Sequence, residues 1–213
     1  MQRRILVGLM SLICLGATQD LANAQIDEHK MEVGAVFTSI TLTNFKDRTL
    51  PTFASGNSTV KGLGARFAYN LNDNFAIDAE GSFFPESHFG NDEIGQKMQG
   101  FVGLKAGART KWVGVFAKAR PGVMWFGEFP SRGSCTVTSF GTSCGVAHEK
   151  DFAMDVGAVF EFYPAERVIV RADVGDTIIR YQDRVRGTLT GPVLFNAEVK
   201  NNFQISLGVG WRF

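Results

Sequence analysis

Along most of this chain the hydrophobic positions recur at every second residue. The end shows it best: Phe203, Ile205, Leu207, Val209, Trp211 and Phe213 alternate with Gln204, Ser206, Gly208, Gly210 and Arg212. A period of two sends the sets to opposite faces of an extended strand, whereas a helix would spread both around its circumference. The same pattern predicts seven further strands, over 31–41, 60–71, 74–84, 98–110, 112–126, 151–163 and 167–179. Pro121 falls inside the fifth strand and has no N–H to give a ladder, so a bulge or kink is expected there.

The connections alternate in length. Short turns are expected at Asn72-Asp73-Asn74, at Thr110-Lys111 and at Pro164-Ala165-Glu166, and long polar connections at 43–59, 85–97, 127–150 and 181–198. Eight strands so joined predict an all-β fold, an antiparallel up-and-down barrel with both termini at the short-turn end. After residue 24 no segment reaches the roughly 18 apolar residues of a membrane helix, but strands of this length suit a transmembrane barrel. Short periplasmic turns and long extracellular loops are the asymmetry of bacterial outer-membrane barrels.

The face opposite the apolar one carries Arg66, Lys105, Arg109, Lys118, Arg120, Arg171 and Arg212 against Glu32, Asp78, Glu80, Asp155, Glu161 and Asp173. An eight-stranded barrel is only wide enough for side chains to fill, and isolated buried charges are costly. The near-balanced set therefore predicts a lumen closed by ion pairs, with Lys118 and Arg120 paired to carboxylates of neighbouring strands. Alternation is symmetric, so a soluble lipocalin-like carrier with the apolar face inward fits the same period. Three features favour the membrane arrangement. Glycine is mixed with charge on the polar face. Aromatics gather at the strand ends, with Tyr69, Phe75, Phe162, Trp211 and Phe213 at one and Phe37, Phe83, Trp125, Phe152 and Phe203 at the other. The last strand ends in Trp211-Arg212-Phe213.

The N-terminus reads as a cleaved Sec-type signal peptide over residues 1–24. Arg3 and Arg4 precede an apolar run from Ile5 to Ala17, and Ala22-Asn23-Ala24 is a small-x-small cleavage site. Residues 25–213 then form one barrel domain. Without Arg3, Arg4 and Asp20 the 22 basic and 21 acidic residues become 20 of each, so the basic footprint of a nucleic-acid binder is missing. Cys14 leaves with the peptide. Cys135 and Cys144 remain, in a Ser-, Thr- and Gly-rich stretch of an exported chain, and are expected to form a disulfide. A zinc site is disfavoured, because His148 is the one imidazole nearby.

The final strand FQISLGVGWRF, with Trp211 and terminal Phe213, resembles the C-terminal signal by which bacterial outer-membrane proteins are recognised by the barrel-assembly machinery. With the signal peptide and the strand count, residues 30–213 resemble the OmpA-like and OmpX-like small barrels of the outer-membrane β-barrel domain superfamily. No peptidoglycan-binding domain follows, unlike full-length OmpA, so wall tethering is not implied. Lipid A deacylases share the fold, but neither His88 nor His148 has a serine in their arrangement, and His29 precedes the first strand; no enzymatic activity, cofactor or metal is expected. Ser87, His88, Asp92 and Glu93 form a solvated loop group before they form a cation site. The glycine runs at 62–67 and 208–213 lack the third glycine and following helix of a nucleotide fingerprint. The expected role is envelope-structural or surface-interacting, through the loops of a mostly closed barrel, with outer-membrane lipid and lipopolysaccharide as surroundings. A narrow porin-like diffusion channel is the alternative, with a lipid-modifying enzyme or soluble carrier behind it.

Overall fold

The computed structural model describes residues 30–43, 57–85, 87–89, 92–94, 96–129, 135–138, 141–144, 147–182, 184–188 and 191–213. The 1–24 segment, His29 and most of the 43–59 connection lie outside them. Fourteen strands follow in chain order: β1 (Met31–Leu42), β2 (Ser58–Asn70), β3 (Phe75–Phe84), β4 (Ser87–Phe89), β5 (Asp92–Ile94), β6 (Lys97–Arg109), β7 (Val113–Phe129), β8 (Cys135–Thr138), β9 (Gly141–Cys144), β10 (Ala147–Ala165), β11 (Val168–Tyr181), β12 (Arg184–Thr188), β13 (Gly191–Phe195) and β14 (Glu198–Arg212). Eight of them, β1, β2, β3, β6, β7, β10, β11 and β14, close into an antiparallel up-and-down barrel. The other six pair as the hairpins β4–β5, β8–β9 and β12–β13. Each hairpin lies in a connection the sequence marks as long.

The short turns are made by local side chains. Asn72 Oδ1 accepts from the backbone N–H of Asn74 at 2.9 Å and of Phe75 at 2.8 Å, the Asx arrangement that replaces a backbone turn bond. The Thr110 hydroxyl donates to the Val113 carbonyl at 2.9 Å. The third turn falls at Glu166–Arg167, because β10 runs on through Ala165. Pro164 sits instead within a register shift between Phe162 and Ala165. Closure is completed where Met31 and Phe213 exchange two backbone hydrogen bonds of 2.9 Å.

Register gives the barrel its shape. The cross-strand partners starting at Met31 run through Tyr69, Ile77, Leu104, Ala119, Val156, Asp176 and Phe203 back to Thr41. One circuit therefore climbs from position 31 to position 41, which tilts the strands by roughly 40° in a barrel of eight.

At Pro121 the expected bulge is absent. Phe101 pairs with Gly122 and Leu104 with Ala119 in one unbroken register, and on the other side Pro121 stays paired with Met154. The missing N–H interrupts the β6 ladder without inserting a residue, and the ring faces outward, where it is exposed. β7 instead shifts register against β10 between Ala147 and Glu149.

Glycines let the wall curve. Gly157 and Gly175 face each other across β10 and β11. A Cβ on Gly157 would lie 2.2 Å from the Val174 carbonyl oxygen, closer than any side-chain carbon can approach.

Candidate functional site: the filled lumen

Parity sorts the barrel into an apolar outside and a mixed inside. Leu63, Val102, Leu104, Val115, Leu207 and Val209 are all more than half exposed on the outward face. A face of this composition is stable where hydrocarbon, not water, surrounds it. The inward face is buried and falls into three layers from the turn end to the hairpin end.

The first layer is ionic. Glu32 on β1 meets Arg109 at 3.2 Å, Arg212 at 3.4 Å and Lys105 at 3.5 Å, and Asn70 donates to it at 2.9 Å. Glu161 pairs with Lys105 and lies 3.5 Å from Arg109 and 3.8 Å from Arg171. The Tyr163 hydroxyl donates to Glu161 at 2.6 Å and accepts from Arg109 Nε at 2.8 Å. Arg212 lies over the Tyr163 ring at 4.9 Å and Lys105 over Phe116 at 4.8 Å, within cation–π range.

Above this group, Asp78 accepts from two guanidinium groups, Arg120 at 2.8 Å and Arg171 at 2.7 Å. Arg120 also reaches Glu80 at 3.1 Å and pairs with Asp155. Lys118 bridges Asp155 at 2.8 Å and Asp173 at 3.2 Å, and Arg171 Nε donates to Asp173 at 2.6 Å. Only Asp155 belongs to a strand adjoining β7; Asp78, Glu80 and Asp173 are reached across the lumen. Arg66 is buried opposite Glu80 in the β2–β3 ladder.

Next comes a belt of hydroxyls and amides. Thr38 lies 3.0 Å from Ser206 and 3.4 Å from Ser82, and Thr177 donates to Gln204 at 2.8 Å. The third layer is mainly apolar: Ile40, Leu42, Val60, Phe84, Phe101, Met124, Phe126, Ala153, Ile179 and Tyr181 form one buried cluster, with Lys97 and Asp151 buried beside it. The Phe126 and Tyr181 rings lie 6.0 Å apart.

This cap is not among the lumenal residues that the sequence pattern singles out. Its signal is a local loss of alternation at the strand tops, where both parities turn apolar, as in Val123-Met124-Trp125-Phe126 and Phe83-Phe84. Lys97, placed by pattern in the 85–97 connection, and Asp151, at the start of the sixth expected strand, are buried at the lumenal rim. Cys135 and Cys144 are opposite partners in β8–β9, and His88 lies opposite Glu93 in β4–β5. Among the residues described at side-chain level, no trio of His, Cys, Asp or Glu is grouped as a metal would need.

A closed sheet, apolar outside and filled inside, is the construction of an integral membrane β-barrel. The chain belongs to the outer membrane protein beta-barrel domain family, whose model matches residues 7–213. Among solved structures, neisserial surface protein A is similar, with a TM-score of 0.58 and 10% identity over 86% of this chain and 97% of that one. The outer membrane protein OprG from Pseudomonas aeruginosa is similar too, with a TM-score of 0.51 and 10% identity over 89% and 99% of the two chains. No curated protein sequence matches the chain.

Proposed function

We propose that this outer-membrane barrel is a sealed wall element that presents its three hairpins to the cell exterior, where a surface-interaction or envelope-structural role resides. The observation that carries this reading is the filled lumen: an ionic layer, a polar belt and an apolar cap succeed one another along the axis. A hydrated ion entering from the hairpin end meets Phe84, Met124, Phe126 and Tyr181, all buried, with Lys97 and Asp151 buried at the same level, before it can reach the polar belt and the ionic layer. The orientation follows from the short turns lying together with the two ends of the barrel, Met31 and Phe213, opposite the hairpins, as in bacterial barrels with short periplasmic turns. A cleaved signal peptide over 1–24 and assembly through Trp211 and Phe213 complete the route to the membrane. The reading assigns no reaction to the barrel.

The experiment is a liposome-swelling assay on the exported, refolded chain with pentoses and amino acids as solutes. Rates no faster than protein-free liposomes support the sealed barrel. Solute entry that scales with protein would replace it by the narrow diffusion channel.

A further inference from the structure

The apolar band around the barrel has a level lower edge and a stepped upper one. Because the register climbs ten positions in one circuit, from Met31 to Thr41, each step to the next strand gains about 1.25 residues of axial level. Each residue along a strand adds about 2.5 Å of height at this tilt. On that scale Met31, Phe75, Val113, Phe162 and Trp211 start the band at nearly one level.

The upper edge differs from side to side. On β6, β7 and β10 apolar side chains continue outward as far as Met98, Trp125 and Phe152. On β1 they stop at Phe37 and on β2 at Leu63; Ser39, Thr41, Lys61 and Thr59 take the next outward positions. Ser39, Thr41 and Lys61 are thereby level with Phe83, Met98, Val123 and Phe152. The band is about 30 Å tall from Val113 to Trp125 but only about 15 Å from Met31 to Phe37.

The low side has a chemistry of its own. Lys61 is exposed and lies opposite Ser39 in the ladder. The Thr41 and Thr59 hydroxyls are 3.0 Å apart on the same wall. No carboxylate points outward from β1 or β2 among the described residues; the outward acid Asp176 stands on β11, two strands from β1 and three from Lys61 on β2. One ammonium group with hydroxyl donors, set below the hydrocarbon level of the opposite wall, is complementary to a phosphate and not to an acyl chain.

We infer that the β1–β2 wall is a lipid-docking face, where the outer leaflet is thinned and a lipopolysaccharide phosphate headgroup is drawn down onto Lys61 and its neighbouring hydroxyls. This rests on the orientation proposed above. A bilayer meets a short apolar stretch by thinning beside it, and the charge of Lys61 selects what the thinned edge presents.

The test uses the mature chain in vesicles whose outer leaflet is lipopolysaccharide. Cys135 and Cys144 are replaced by serine, and a nitroxide is attached singly at Ser39→Cys, Lys61→Cys, Met98→Cys or Val123→Cys. Labels at 39 and 61 are expected to collide with a water-soluble nickel chelate, and labels at 98 and 123 with oxygen. The label at 61 should also broaden the lipid phosphorus resonances at least threefold more than that at 98. Equal oxygen accessibility at all four sites, or equal phosphorus broadening, overturns the inference; so does spin–spin coupling between labels at 61, which would put a second barrel on this face. Orientation is checked separately with Cys135→Ser, which leaves Cys144 as reporter. Labelling of Cys144 by an impermeant maleimide on intact cells upholds the orientation, so a failure at 39 and 61 then counts against docking alone. An unlabelled Cys144 that reacts after permeabilisation overturns the orientation and the docking face together.

Discussion

At the scale of single residues, Asp78 is a sharp probe of the lumen, because Arg120 and Arg171 both donate to it. Two guanidinium groups so deeply buried would be left with one acceptor fewer if it were neutralised. Breaking a buried pair from one side typically costs about 3–5 kcal/mol. Asp78→Asn should therefore lower the urea unfolding free energy in detergent micelles by about 3 kcal/mol. Glu198, half exposed at the rim, sits 2.6 Å from Lys200. Glu198→Gln should cost under about 1 kcal/mol, as partly exposed pairs are screened by water. Equal losses would show that the lumenal charges are solvated and the barrel is not filled as described. Gly157 is the second sensitive residue. Gly157→Val places branched carbon atoms against the Val174 carbonyl, and the variant should lose most of its folded, fast-migrating band on unboiled gels; an unchanged band would contradict the close strand approach.

Among elements, the strands were legible and their ends were not. Alternation identifies all eight barrel strands because each has an inside and an outside of opposite polarity. It fails at the tops of β7 and β10, which extend to Phe129 and begin at Ala147, since Val123-Met124-Trp125-Phe126 is apolar at both parities and His148-Glu149-Lys150 polar at both. The apolar cap was hidden for the same reason. The inward parity of the charged residues could be read from the sequence, but not their partners: Arg171 and Asp78 are 93 positions apart, and only the shear brings them together. At Pro121 a local rule suggested a bulge or kink, and the unbroken register around its outward-facing ring excludes the bulge.

The β8–β9 hairpin offers a test at this scale. Its last pair is Thr138 with Gly141 and its first is Cys135 with Cys144. Counting back from the closing pair of a two-residue hairpin, alternate pairs are hydrogen-bonded, so the cysteines fall on a non-hydrogen-bonded pair. There the Cα atoms approach to about 4.5 Å, within disulfide range. The bond we propose between them should stabilise the hairpin by roughly 2–3 kcal/mol. Peptide mass mapping of exported protein should find the tryptic fragment 133–150 refractory to alkylation until reduced. Double alkylation without reductant would mean two free thiols.

At the scale of the whole molecule, the barrel sheet has no edge, since β1 pairs with both β2 and β14. Every barrel strand hydrogen-bonds on both sides, which hydrocarbon requires and which makes opening a barrel slow. Exported protein should fractionate with outer membranes and run faster unboiled than boiled on SDS gels; a soluble, unshifted band would turn the strands inside out. The interior layers then act in series. The apolar cap keeps water from the ionic group below it, and with water excluded those pairs are little weakened by salt.

The central claim is that these layers seal the barrel, and planar-bilayer recording of purified monomers tests it most directly. A sealed barrel should give a baseline indistinguishable from protein-free membrane at 1 M KCl, with at most brief, irregular events. Steady, voltage-independent conductance steps from single monomers would contradict it, and would mean that the cap formed by Phe84, Met124, Phe126 and Tyr181 opens a path past the ionic layer.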